Sequence, residues 1–138
     1  SLPALTAGHL VSSTLQRGRR VPAWCTANGR VLLAALPGAQ SDAWLASRSF
    51  EPRTPHTLTD GQRLRAELAR VRAQGYALVD QELEIGLRTI SVPLESSDGQ
   101  VLAAINVSAH AARRSAEQLI DECLPALRQT QATLRRQL

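Results

Sequence analysis

From Gly75 to His110 the chain reads GYALVDQELEIGLRTISVPLESSDGQVLAAINVSAH, which commits this part of the molecule to a sheet. Residues Tyr76 to Glu84 and Leu87 to Glu95 are rich in β-branched or apolar side chains, with Gly86 as a corner between them. Ser97-Asp98-Gly99 then interrupts the pattern as a turn, because Asp and Gly tolerate backbone angles that other residues avoid. Val101 to Ser108 supplies a third predicted strand. Side chains alternate faces along a strand. Arg88, Ile90, Val92 and Leu94 therefore point one way, and Leu87, Thr89 and Ser91 the other. The third strand divides into an apolar set, Val101, Ala103, Ile105 and Val107, and a mixed set, Leu102, Ala104, Asn106 and Ser108.

The mixed set bears on function. Thr89 and Ser91 lie two apart on one strand, as do Asn106 and Ser108 on its expected neighbour. A strand covered on both faces is normally apolar on both, so polar side chains there require partners. Two readings stay open at this point. These groups lie on a half-solvated sheet, or they form the floor of a pocket in which a few placed polar groups orient a small molecule.

Ahead of the sheet, Ser1 to Gly8 shows no period and reads as a tail. His9 to Gln16 reads as a strand without an obvious mate. The basic loop RGRRVP follows, its Pro22 holding Val21 extended. In AWCTANGRVLLAAL, Ala23 to Leu36, the stripe Val31, Leu32, Ala35 and Leu36 predicts a helix that Pro37-Gly38 ends. Thr26 is a good N-cap, so Ala27, Asn28 and Gly29 become the first helical residues, their N–H groups without partners inside the helix. Such a tip, at the positive end of the helix dipole, is a ready site for a carboxylate. Gly29 also permits close approach by a ligand or another backbone.

Ser41 to Ser47 reads as a short helical turn anchored by Trp44 and Leu45, and Ser49 to Thr57 as an irregular loop carrying His56. A second long helix has Thr59 as cap, Gln62 completing a capping box, Leu64, Leu68 and Val71 as its stripe, and Gly75 as its stop. After the sheet, Ser115 caps a last helix whose apolar residues include Leu119, Ile120, Cys123, Leu124, Leu127, Leu134 and Leu138. Pro125 inside it predicts a kink or a split.

A chain of 138 residues suffices for one domain with a real core and is too short for two. With no membrane-length apolar run and no signal-peptide pattern, the sequence predicts a soluble, cytoplasmic protein. The net charge is +4, and every Lys or Arg position is Arg. The clusters Arg17, Arg19, Arg20; Arg113, Arg114; and Arg128, Arg135, Arg136 lack interleaved aromatics, so they read as solvated faces rather than a nucleic-acid surface. Cys25 and Cys123 stand alone, with no zinc spacing and no disulfide framework; neither a metal nor a cofactor is expected. An enzymatic alternative would use Cys25, activated beside a helix tip, as nucleophile and His56 as base.

The blocks VPAWCTANGRVLLAALP (Val21 to Pro37), TPHTLTD (Thr54 to Asp60), RVRAQGYALVDQELEIGLRTISVPL (Arg70 to Leu94) and AAINVSAHAAR (Ala103 to Arg113) resemble the C-terminal effector-binding domain of IclR-type bacterial transcription regulators. Within that family they look most like the branch controlling protocatechuate, 4-hydroxybenzoate and β-ketoadipate pathway genes. The resemblance runs from about His9 to the end. It implies a GAF-like α+β domain, an antiparallel sheet flanked by helices, that binds a small carboxylate, aromatic or dicarboxylic, and works as a homo-oligomer, dimer or tetramer. The carboxylate would meet the helix start at Ala27 and Asn28, while Val79, Leu87, Thr89, Asn106 and Ser108 would line the rest. An aspartate stands at the Val79 position in relatives that take short keto acids, so Val79 suits a larger, less polar ligand. The resemblance also implies an N-terminal winged helix-turn-helix, through which DNA would be bound, and a first helix and strands of the effector domain; neither is in this sequence. A ligand-free dimerisation module is the alternative within the same family.

Overall fold

The computed structural model describes residues 5–7, 10–16 and 22–138. In chain order the elements are β1 (Leu5–Ala7), β2 (Leu10–Gln16), α1 (Ala27–Ala34), α2 (Gly38–Ala46), α3 (Gly61–Gln74), β3 (Ala77–Asp80), β4 (Leu87–Glu95), β5 (Val101–His110) and α4 (Ala116–Arg135). The strands form a five-stranded sheet in the order β1-β2-β5-β4-β3, every neighbouring pair antiparallel. This is an α+β fold.

Strand alternation divides the core between the two faces. On one face α4 lays Leu119, Cys123 and Leu127 against Ile90, Val92, Leu94, Ala103, Ile105 and Ala109. On the other, α1 to α3 gather Val31, Leu33, Leu45, Leu64, Leu68 and Val71 with Phe50, Ala77, Val79 and Ala104. Ala104 belongs to the mixed set of β5, and its small side chain lets α1 lie close to the sheet. Further along the same face come Asn106 and Ser108, paired in register with Ser91 and Thr89 of β4. There α1 has ended while the sheet continues, and that mismatch makes a hollow.

Several expectations are corrected. Leu5–Ala7 is not tail but edge strand β1, and it gives β2 one of its mates; β5 is the other. Three residues are too few to show a period. The predicted strand Tyr76 to Glu84 stops at Asp80, because Gln81 takes a left-handed φ of 60° and Glu82 turns inward to an ion pair. β5 runs two residues past Ser108, to His110. The helix expected to start at Ala27 behind the Thr26 cap does start there, but it ends at Ala34 rather than Leu36, and Pro37 opens α2 as well as closing the link from α1. Asp60, not Thr59, caps α3: its carboxylate accepts from the N–H of Gln62 at 2.8 Å and of Arg63 at 3.5 Å, and Gly75 closes the helix with φ 80°. The basic residues Arg17, Arg19 and Arg20, together with His9 and Val21, lie outside the described residues.

Pro125 does not split α4, which is one helix from Ala116 to Arg135. The stripe is buried on both sides of it, at Leu119 and Cys123 before and Leu127 after. Pro125 faces solvent, as does Asp121 one turn earlier, where a carbonyl released by the missing N–H can bind water. Replacing Pro125 with Ala restores that hydrogen bond and removes a residue about 3 kcal/mol worse than Ala in a helix interior. Part of the gain is returned by the freer unfolded chain, about 1 kcal/mol. Urea unfolding of Pro125→Ala is expected to show a net stabilisation of about 1–2 kcal/mol; an unchanged or lower midpoint would contradict this account of α4.

Among the described residues no helix is long and apolar enough to cross a membrane.

Candidate functional site

The hollow beyond α1 has a volume of about 200 Å³ and is lined by Cys25, Thr26, Ala27, Asn28, Val79, Leu83, Leu87, Thr89, Asn106 and Ser108. All seven residues singled out in the sequence lie on it. They come from a helix tip and three strands.

The tip is built locally. The Thr26 hydroxyl accepts from the N–H of Gly29 at 3.1 Å, and its carbonyl accepts from Arg30 at 3.0 Å. Capping thus engages the third and fourth N–H groups. Those of Ala27 and Asn28 have no acceptor among the described residues, and both residues line the cavity. The close approach that Gly29 allows is by backbone, not ligand. A Cβ at Gly29 would lie against Ala23 Cα and 2.6 Å from the Ala23 oxygen, so glycine lets the Pro22–Thr26 segment cross the helix start.

Opposite the tip stands the sheet. The Thr89 and Ser108 hydroxyls are 2.8 Å apart across the β4–β5 ladder. Between two hydroxyls one proton is used and the other is left to donate elsewhere. Deeper, and fully buried, Ser91 places its hydroxyl 2.6 Å from Asn28 Oδ1 and 3.0 Å from the Ile105 oxygen. Val79, Leu83 and Leu87 supply the aliphatic wall. Among the described residues none of the lining side chains carries a charge, so within this lining a negative charge would be met by the helix end and by neutral donors.

Behind this lining is a buried charge pair that the sequence reading did not single out. Arg30 is 1% exposed and makes a two-pronged pair with Glu82, Nη1 to Oε2 at 2.7 Å and Nη2 to Oε1 at 2.6 Å. Its Nε donates to the Trp24 carbonyl at 2.9 Å. Glu82 Oε1 also accepts from the N–H of Leu58 at 2.8 Å, and the carbonyls of Gln81 and Glu82 accept from the hydroxyls of Thr54 and Thr57, each at 2.6 Å. Fully engaged, the pair fastens the segment before α1 and the β3–β4 connection, which contribute Cys25, Thr26 and Leu83 to the cavity. Those three were missed as site residues. Cys25 and Thr26 could have been found from the cap position itself; Leu83 was hidden inside an over-long predicted strand.

The enzymatic alternative finds no support here. Cys25 is fully buried, its Sγ donates to the Pro22 carbonyl at 3.7 Å, and burial pushes the thiol up from its ordinary value, partly offset by Arg53 and Arg30. His56 is exposed on its loop and is not among the lining residues. A thiol reagent such as iodoacetamide is therefore expected to label Cys25 in the folded protein at neutral pH at least tenfold more slowly than in urea, a rate readable by mass spectrometry.

A family model described as bacterial transcriptional regulator IclR C-terminal matches residues 5–136. Over 122 residues the chain is 46% identical to the Pca regulon regulatory protein of Pseudomonas putida, covering 88% of this chain and 42% of that protein. It is 36% identical over 118 residues to the p-hydroxybenzoate hydroxylase transcriptional activator of Acinetobacter baylyi, covering 86% and 44%. Among solved structures, a double mutant of the PobR inducer-binding domain from Acinetobacter, in complex with 3-hydroxybenzoic acid, is similar at a TM-score of 0.82 and 35% identity, covering 88% of this chain and 69% of that one. The C-terminal domain of the E. coli regulator KdgR is similar at a TM-score of 0.77 and 32% identity, covering 87% and 73%. The chain spans less than half the length of the curated relatives it matches.

Proposed function

This chain belongs to the C-terminal domain family of IclR-type bacterial transcriptional regulators, and from that premise we propose that the hollow at the tip of α1 senses a small organic acid. Its relatives are transcriptional regulators, and it is not an enzyme. The observation that carries the proposal is the convergence of two backbone N–H groups, at Ala27 and Asn28, that have no acceptor among the described residues, with Thr89, Asn106 and Ser108 across a cavity of about 200 Å³. A carboxylate placed on the tip gains both N–H groups and the dipole's positive end. The rest of the molecule then lies along Val79 and Leu87 toward the strand hydroxyls and amide.

Volume and wall chemistry favour a single aromatic ring. An apolar cavity of about 150 Å³ accommodates benzene, and the aliphatic side chains here offer a ring three contact surfaces. Donors on the far side suit a ring hydroxyl. The names of the relatives, regulators of Pca genes and of p-hydroxybenzoate hydroxylase, and the 3-hydroxybenzoic acid bound to the PobR domain agree with that choice. In the whole regulator the acid would shift the arrangement of subunits in a dimer or tetramer, and with it DNA binding by an N-terminal winged helix-turn-helix. A ligand achieves this only through unequal affinity for two arrangements, with couplings of about 1–3 kcal/mol.

Calorimetric titration with 4-hydroxybenzoate, 3-hydroxybenzoate, protocatechuate and β-ketoadipate is expected to give binding with at least one hydroxybenzoate. Binding of β-ketoadipate alone would move the ligand class to dicarboxylates, and no binding to any of the four would defeat the proposal. Asn106→Leu is expected to weaken the preferred acid roughly thirtyfold or more, the cost of a lost hydrogen bond at a buried polar contact, while the far-UV circular dichroism spectrum stays unchanged.

A further inference from the structure

Ser91 lies outside the cavity lining, yet among the described residues the side chain that its hydroxyl hydrogen-bonds belongs to a lining residue. It is fully buried on the cavity face of β4, in register with Asn106, and its hydroxyl meets Asn28 Oδ1 at 2.6 Å. Asn28 is itself 5% exposed and forms part of the cavity wall. A carboxamide carries its acceptor and its two donors on opposite branches. Whichever branch is held by Ser91, the other is the one left for the cavity.

We propose that Ser91 is a positioning residue for the acid site: by donating its proton to Asn28 Oδ1, it turns the Asn28 N–H pair toward the cavity, beside the free N–H groups of the helix tip. Of the two acceptors within reach the Asn28 oxygen is nearer, at 2.6 Å against 3.0 Å for the Ile105 carbonyl. Polarity at this corner follows from that choice. With the oxygen occupied, the corner only donates, and the tip presents backbone and side-chain donors together to one carboxylate. Were the amide reversed, its oxygen would face the carboxylate and repel it. Ser91 thereby selects for an anionic oxygen at the tip without touching the ligand. This rests on the acid-sensing reading above.

The test is a double-mutant cycle on acid binding, with 4-hydroxybenzoate and 3-hydroxybenzoate as probes. Ser91→Ala is expected to weaken binding about tenfold, the scale of one hydrogen bond to a charged acceptor. In an Asn28→Ala background the same change is expected to have no further effect, whereas a purely structural role for Ser91 would weaken both backgrounds alike or neither. Should Ser91→Ala not fold, Ser91→Cys keeps the volume with a poor donor and is expected to show the same loss and the same coupling. A readout independent of ligand is the Asn28 side-chain NH₂ signal in an ¹⁵N correlation spectrum, assigned by its absence in Asn28→Ala. Its shift in Ser91→Ala supports the proposal, and an unmoved signal overturns it. Wild-type binding with equal losses in both backgrounds defeats the role of Ser91 alone and leaves acid sensing standing. Absence of wild-type binding to either probe defeats the proposal too, and β-ketoadipate then decides whether acid sensing itself survives.

Discussion

Glu82→Gln is expected to cost about 3–5 kcal/mol of folding stability, the range for removing one member of a buried charge pair. Arg30 is almost wholly enclosed, and its guanidinium would keep its charge while facing a carboxamide, one branch of which is a donor pointed at donors. A domain of this size holds about 5–15 kcal/mol in all, so a shift of this size moves the urea midpoint by about 2 M. The control is the double substitution Arg30→Met with Glu82→Leu. Replacing both charges by apolar side chains of similar volume removes the uncompensated ion, and recovery of most of the lost stability is expected. A single variant as stable as the parent would show that the pair is not held in the interior.

Gly29→Ala is expected to lower stability by about 2–4 kcal/mol, although the same change in an ordinary exposed helix raises it by up to about 1 kcal/mol. The new methyl group would press on Ala23 Cα and on Thr26 Oγ1, the cap oxygen, so either the crossing segment or the cap hydrogen bond must give way. Displacing the cap alone costs about 1 kcal/mol. A thermal melt should show a drop of roughly 10 °C for a chain of this length; an unchanged or higher melting temperature would mean that Ala23 does not cross there. Because that segment carries Cys25 and Thr26, acid affinity should fall along with stability.

What could be read from the sequence was whatever depends on near neighbours. Period-two alternation put Thr89, Asn106 and Ser108 on one face, and Thr26 marked the start of α1 because capping involves residues three apart. The candidate cavity residues came from those two local signals and from the family resemblance. Arg30 could not be read this way: it sits between Gly29 and Val31 in an apolar helix, and its partner lies 52 residues on. Glu82 looked like a strand position until Gln81 adopted a left-handed backbone. Likewise the face of Ser91 was legible, but its link to Asn28 spans 63 residues and belongs to tertiary packing. The split that Pro125 allowed did not occur for the opposite reason, since Leu119, Cys123 and Leu127 are buried on either side of it in one continuous helix.

The contact between Thr89 and Ser108 sets how such a detector must respond. One hydroxyl proton is spent between the two oxygens and one remains, so a guest group gains at most a single new donor there without breaking the existing contact. Much of the guest's grip then falls to the helix tip and the hydrocarbon wall. For an acid held at this site, binding strength would rest on the carboxylate and the hydrocarbon, while the hydroxyl pair would discriminate among substituents on the far side.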